Sequence, residues 1–340
     1  MPREKIQIGW MGPLTGDVAD LGQDALKASQ HAVKEVNKSG GVYGKDLALI
    51  VEDTKCNAKD AVQAGTKLIQ ADNVPVILGG LCSGETMAVA PLAEGSKVVL
   101  FSYCSSAPSV TSAGDYVFRT YASDTFEGEF MATYVYQTMN IKRIAVLAVL
   151  GDWGTGIKNA FMKNYEALGG AVVLAEDYDQ DTRDLRTELT KVKNSTAEAL
   201  YFVGYTDSSL AGLRQARELG ITLPLVGSSA WADPKIQESE FARGIVYPEA
   251  KSNFAPEWKE RMAREGIRTT LCTAPAYNNV KIIADIMQRI GTKSEDIKNA
   301  LYKVKNYPGV NGAISFDENG DLTSAEYEIH VVQDGKSIIE

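Results

Sequence analysis

Histidine is scarce in this chain: His31 and His330 are the only two in 340 residues. That nearly excludes a histidine-built metal site and argues against a Ser-His-Asp triad. Cysteine is nearly as rare. Four cysteines, at 56, 82, 104 and 272, are too few for a disulfide scaffold in a chain this long, and no C-x-x-C pair supports a zinc or thioredoxin-like reading. Basic residues fall short of acidic ones, 35 against 44, leaving a net charge of −9 and a pI near 5.0. Nucleic acid and anionic membrane both reward basic surface, so neither is expected as a partner. No apolar run reaches the roughly 18 residues of a membrane-spanning helix, so no membrane insertion is expected. Met1-Pro2-Arg3-Glu4-Lys5 leads straight into a strand without the apolar stretch of a signal peptide. The expectation is either a cytoplasmic protein or a mature form restarted with methionine.

Enzyme signatures are missing as well. There is no G-x-S-x-G elbow and no phosphate loop, since Gly44-Lys45 is followed by Asp46 at the wrong spacing. Gly151, Gly154 and Gly156 do not form a dinucleotide fingerprint. Asp177, Asp179, Asp181 and Asp184 lack the Gly and terminal Glu of a calcium loop and read as a solvated acidic turn. No cofactor, metal or catalytic residue is expected.

What is present is a regular alternation. Apolar runs at Lys5–Met11, Asp46–Asp53, Val74–Leu78 and Val98–Phe101 alternate with helical patterns at Leu21–Ser39, Ala58–Ala71 and onward from Ser83. This predicts a parallel sheet covered on both faces. The rhythm restarts after Asn140, with strands at Arg143–Val149, Ala171–Ala175, Ala199–Val203 and Leu223–Val226, and helices at Gly156–Leu168, Leu185–Val192 and Ser208–Leu219. The two runs share a helix, Gly-Gly, strand, acid pattern at Glu35–Asp53 and Tyr165–Asp177, suggesting two lobes of one architecture with a ligand between their strand ends. The tail reads as helices at Thr273–Ile290 and Ser294–Val304, then a strand at Tyr327–Val332 and a turn at Gln333–Lys336.

Two strand ends finish in serine-rich loops, Gly79-Gly80-Leu81-Cys82-Ser83 and Ser102-Tyr103-Cys104-Ser105-Ser106. Hydroxyls and backbone N–H groups there suit a carboxylate, with Ser83, Ser105, Ser106 and the N–H of Cys104 as its expected holders. Each loop alone also reads as a cap or polar turn. Trp10, Trp153, Tyr205 and Trp231 lie at or just past strand ends and are expected as pocket walls. Asp124 is either a helix cap or a charged group at the lobe junction. Cys56 and Cys82 end consecutive strand regions and can meet; a bond there closes a loop of about 26 residues, worth about 3 kcal/mol, the alternative being two buried thiols. Cys104 and Cys272 show no mate by pattern.

Gly12-Pro13-Leu14-Thr15-Gly16, Asn37-Lys38-Ser39-Gly40-Gly41-Val42-Tyr43-Gly44-Lys45, Cys56 with Cys82-Ser83, Phe118-Arg119-Thr120 and Phe316-Asp317-Glu318-Asn319-Gly320-Asp321 occur in that order. Together they resemble the leucine/isoleucine/valine-binding proteins, the solute-binding proteins of branched-chain amino acid ABC importers. The resemblance implies an α/β fold of the type I periplasmic-binding kind, two doubly wound parallel-sheet lobes joined by a three-segment hinge. It implies lobes of 1–121 with 251–326 and 122–250 with 327–340, with crossings near Thr120–Asp124, Pro248–Ser252 and Ala325–Glu328. It implies a monomer that captures a small carboxylate-bearing ligand by hinge closure and passes it to a membrane permease. The place would be the periplasm or cell exterior, with the export signal removed and a lipid anchor an option. A ligand-sensing regulator or receptor domain of the same fold is the alternative.

Residue by residue, the resemblance implies a Cys56–Cys82 disulfide, consistent with an oxidising compartment. Ser83, the Cys104 backbone and Ser106 match carboxylate-holding positions, Tyr205 and Asp124 the ammonium side, and Trp153 an aromatic wall. Two positions depart. Ser229 stands where the family's amino-acid binders place an acid, and Leu21 where an aromatic is usual. The ligand is then an amino acid held differently, with Asp124 and Ser229 at its distal end, or a carboxylate without an amine.

Overall fold

The structure, a computed structural model, describes residues 3–340. Strand β1 (Lys5–Gly12) buries Ile8 through Gly12 without a break, as a strand covered on both faces must. Helix α1 (Ala19–Lys38) buries the small stripe Ala25, Ala28, Ala32 and Val36. It stops where Gly40 and Gly41 take positive φ, a backbone that glycine adopts without steric cost. Then follow β2 (Asp46–Asp53), α2 (Ala58–Thr66), β3 (Val76–Leu78), α3 (Ser83–Ser96), β4 (Val99–Ser102) and β5 (Val117–Arg119). The Asn57 side chain caps α2 by accepting from the N–H of Asp60. The sheet runs β2-β1-β3-β4-β5, every pairing parallel.

The second run begins with α4 (Asp124–Thr133). It continues through β6 (Arg143–Val149), α5 (Asp152–Ala167), β7 (Ala171–Tyr178), α6 (Arg186–Asn194) and β8 (Ala199–Val203). It closes with α7 (Thr206–Glu218), β9 (Leu225–Gly227), α8 (Pro234–Gln237) and β10 (Val246–Ala250). Its parallel strands lie in the order β7-β6-β8-β9-β10. That repeats the first sheet's order strand for strand and gives structural content to the self-similarity of the sequence.

The tail supplies α9 (Pro256–Arg264), α10 (Thr273–Ile290), α11 (Ser294–Leu301) and the ribbon β11 (Tyr307–Gly309) and β12 (Gly312–Ile314). Last come β13 (Tyr327–Gln333), antiparallel to β10, and β14 (Lys336–Ile339), its hairpin partner. The chain divides into two units, Met1–Ser123 with Ser252–Ser324 and Asp124–Lys251 with Ala325–Glu340, and passes between them three times.

Periodicity misplaced a few elements. Helix α5 starts at Asp152, four residues before the Gly156 of the sequence reading, because Gly151 and Gly154 are not breakers there. Gly151 makes the turn at φ +119°, and a Cβ on Gly154 would sit 1.9 Å from the Val149 carbonyl oxygen, so only glycine lets the first turn pack against the strand end. Strands β5 and β10 escaped notice. The first is three residues long, and the second contains Pro248.

Within the second unit the core is built on Ile144–Val149 and Ala199–Val203. Phe161 stacks there on Tyr201 at 4.1 Å between centroids. In the first unit, Phe118-Arg119 and Asp321, parts of two separate motifs, come together. Arg119 donates Nε to Asp321 Oδ1 and Nη2 to Oδ2, both at 2.6 Å, while its Nη1 donates to the Ala107 carbonyl at 2.9 Å. A buried bidentate pair of this kind fixes register as well as charge.

Candidate functional site

In the first unit β3 and β4 lie side by side, with Ile77 opposite Leu100 and Leu78 opposite Phe101. Their following loops therefore emerge at the same carboxyl edge. Ser83 opens α3, and its Oγ accepts from the N–H of Ser106 at 3.2 Å and of Ala107 at 3.0 Å. The two serine loops are thus stitched together through the Ser83 hydroxyl. Both Ser83 and Ser106 are buried.

Other donors at this edge are already committed. Glu85 is fully buried, and its Oε2 accepts from the N–H of Leu81 at 2.9 Å and of Cys82 at 3.0 Å. Its second oxygen takes the Thr54 hydroxyl. Burial pushes the Glu85 carboxyl up to about 7 against those hydrogen bonds. The N–H of Cys104 points to Ser102 Oγ at 3.3 Å.

Two of the expected residues in this unit are interior struts. Ser105 has no exposed surface, and its Oγ bonds Thr86 Oγ1 at 2.8 Å, with its N–H donating to Ser102 Oγ at 2.9 Å. It braces one loop against the other, so its hydroxyl is not a ligand-facing one. Trp10 is likewise fully buried; it donates Nε1 to Ser29 Oγ at 3.2 Å and stacks on Tyr103 at 5.6 Å. Its side chain belongs to the packing of β1 against α1, not to a pocket wall. Leu21 lies buried in the first turn of α1.

The structure contains two disulfides. Cys56–Cys82 joins the loop after β2 to the start of α3, with Cα atoms 5.5 Å apart. Cys104–Cys272 joins the second serine loop to the residue before α10, with Cα atoms 5.3 Å apart. The second bond was not legible in the sequence, because its partners are 168 residues apart and no spacing rule links them.

In the second unit β8 and β9 pair in parallel, Phe202 opposite Gly227, so the loops holding Tyr205 and Ser229 share one edge. Trp153, in the first turn of α5, packs on Tyr205 at 4.6 Å between centroids. Trp231 is fully buried, donates Nε1 to Ser209 Oγ at 3.0 Å and meets Phe202 edge-on. A Cβ on Gly227 would come within 2.2 Å of its indole. Trp231 is therefore a core residue under the loop, correcting its expected place on a wall. Asp124, nearly inaccessible, opens α4.

The residue that sequence reasoning missed is Glu127. It is fully buried one turn after Asp124, and its Oε1 accepts the N–H of Ser229 at 2.9 Å. Burial pushes its carboxyl up to about 7, opposed by the bonds from Ser229. The i, i+3 spacing of Asp124 and Glu127 puts both acids on one helix face, a signal available in the sequence. An acid therefore does stand behind Ser229, delivered from α4.

A groove of about 910 Å³ in the first unit is lined by α10, α11 and the segment to Pro308, including Arg289, Asp296, Lys303 and Tyr307. None of the expected site residues lines it. Among the described residues no group of three His, Cys, Asp or Glu is placed to hold a metal, and no helix is long and apolar enough to cross a membrane.

Residues 5–336 match the family model described as periplasmic binding protein. The chain is 27% identical to the Leu/Ile/Val-binding protein BraC3 of Rhizobium johnstonii, over 98% of this chain and 93% of that protein. Among solved structures it resembles the leucine-binding protein LivK of Thermotoga maritima, at TM-score 0.90 and 26% identity, covering 98% of this chain and 97% of that one. It also resembles the branched-chain amino acid transporter substrate-binding protein LivJ of Streptococcus pneumoniae in complex with isoleucine, at TM-score 0.88 and 26% identity, covering 98% of each chain. With two parallel-sheet units and a family match across nearly its whole length, this chain belongs to the periplasmic binding proteins, and it is a solute binder and not an enzyme.

Proposed function

We propose that this chain captures a small carboxylate-bearing solute, an amino acid above all, outside the cytoplasmic membrane and hands it to the permease of an ABC importer. The observation that carries the reading is the Ser83 hydroxyl gathering the N–H groups of Ser106 and Ala107 at the joint edge of β3 and β4. That arrangement draws hydroxyls and amide groups together on a helix N-terminus, where an anion is favoured. The isoleucine complex of the pneumococcal relative supports an amino acid as the solute class. Ser83 and Ser106 hold the carboxylate, and the edge carrying Asp124, Tyr205 and Ser229 takes the other end, with Trp153 as an apolar neighbour. The family and the paired cysteines support an extracytoplasmic setting.

Isothermal titration calorimetry with leucine, isoleucine, valine, phenylalanine and 4-aminobutanoate tests this. Binding of at least one is expected, and the Ser83→Ala, Ser106→Ala double variant should weaken it about 100-fold, each hydrogen bond to a charged group being worth about 1.5–3 kcal/mol. Undiminished affinity in a folded double variant would reject the serine loops as the anion site.

A further inference from the structure

We propose that Glu127, on helix α4, receives the cationic amine of the ligand. This rests on the carboxylate-solute reading above and deepens it. Ser229 itself carries no charge, yet its N–H is fixed to Glu127 Oε1 at 2.9 Å. The other oxygen, Oε2, is buried and has no hydrogen-bond partner. Leaving a carboxyl oxygen dry and unpaired is costly, so the site is built for a donor that the chain does not supply.

The surroundings point to a cation as that donor. Asp124 stands one turn away on the same helix, and both carboxylates act on the phenol of Tyr201 in β8. Among the described residues, the interactions that act on the Glu127 carboxyl are the bonds from Ser229, with no lysine, arginine or histidine among them. Lys158 of the neighbouring α5 is already engaged by Asp177 at 2.6 Å. The Tyr201 hydroxyl and the Ser228 hydroxyl, the latter adjacent in sequence to Ser229, are also buried without partners. Two buried acids near the unspent Tyr201 hydroxyl suit an ammonium group, which brings both positive charge and several N–H donors. A metal ion is a poorer match, since among the described residues no third His, Cys, Asp or Glu joins the two acids.

Matched ligand pairs separate the amine from the carboxylate: leucine with 4-methylpentanoate, phenylalanine with 3-phenylpropanoate, and 4-aminobutanoate with butanoate. Calorimetry on the wild type should show at least one amine binding about 10- to 100-fold more tightly than its deaminated partner. Glu127→Gln keeps the side-chain shape and can still accept from Ser229. It should abolish that preference while changing affinity for the deaminated acid by less than about threefold. Adding Ser229→Glu to Glu127→Gln should restore it. A preference unchanged in a folded Glu127→Gln variant, or deaminated acids binding the wild type as tightly as the amines, would overturn the proposal and leave the anion reading standing. Failure of every member of all three pairs to bind would instead sink the carboxylate-solute reading, and this inference with it.

Discussion

At the scale of single residues, Glu127 and Glu85 stand out among the described carboxylates. Both are fully buried and both have carboxyls raised to about 7 by desolvation. A raised acid favours folding while it is protonated. Its contribution is intact below the ordinary glutamate value of 4.5 and is lost as pH rises through about 7. Glu127→Gln should therefore match the wild type in stability near pH 5 and exceed it at pH 8, by up to about 3 kcal/mol for a shift of this size. Urea titrations at the two pH values read the difference; an equal effect at both would show that Glu127 is ionised throughout. The i, i+3 spacing of Asp124 and Glu127 could be read in the sequence, but the burial of Glu127 could not, because an acid on an amphipathic helix ordinarily faces water. Only its place beneath the Ser229 loop makes it interior.

Elements obey rules that are more local, and they were correspondingly more legible. The strand–helix alternation and the stop signals at Gly40-Gly41 follow from periodicity and glycine stereochemistry, and the structure has them within a few residues. Strand β5 was not legible, because three residues carry no period of their own. It exists because Leu100, Phe101 and Ser102 offer a row of backbone partners to Val117, Phe118 and Arg119. The loop after β4 is held by a covalent tie as well as by its serine hydrogen bonds, through Cys104–Cys272 to the start of α10. Replacing both cysteines by alanine should cost about 2–5 kcal/mol, measured by denaturant unfolding without reductant. It should also weaken carboxylate binding, since Ser105 and Ser106 follow directly on Cys104. Full retention of both would make the bond incidental.

For the whole molecule, two sheets with the same strand order, β2-β1-β3-β4-β5 and β7-β6-β8-β9-β10, each end in a cluster of small polar residues. One cluster is rich in hydroxyls and amides, the other in buried acid. The ligand class proposed above is an amino acid. Its binding should stabilise the chain by about 2.7 kcal/mol at a concentration a hundred times its dissociation constant. Thermal unfolding followed by calorimetry, with and without the tightest ligand found, reads this. If the ligand engages both units, the unfolding of both moves upward; movement of one alone would confine binding to that unit.

Composition and periodicity alone determined the class of this protein. Repeated β/α alternation predicts doubly wound parallel sheets, because that pattern is written within stretches of about 10–20 residues. The motifs at Phe118-Arg119 and Phe316–Asp321 were readable as strings, but their meeting as one buried ion pair was not. The same holds for Ser105 and Trp10 turning inward, for Cys104 finding Cys272, and for Glu127 lying under Ser229. Each joins positions that are brought together only when strands from distant parts of the chain align in a sheet. What a side chain can bind depends on which neighbours have already taken its hydrogen bonds, and that is decided by tertiary contact.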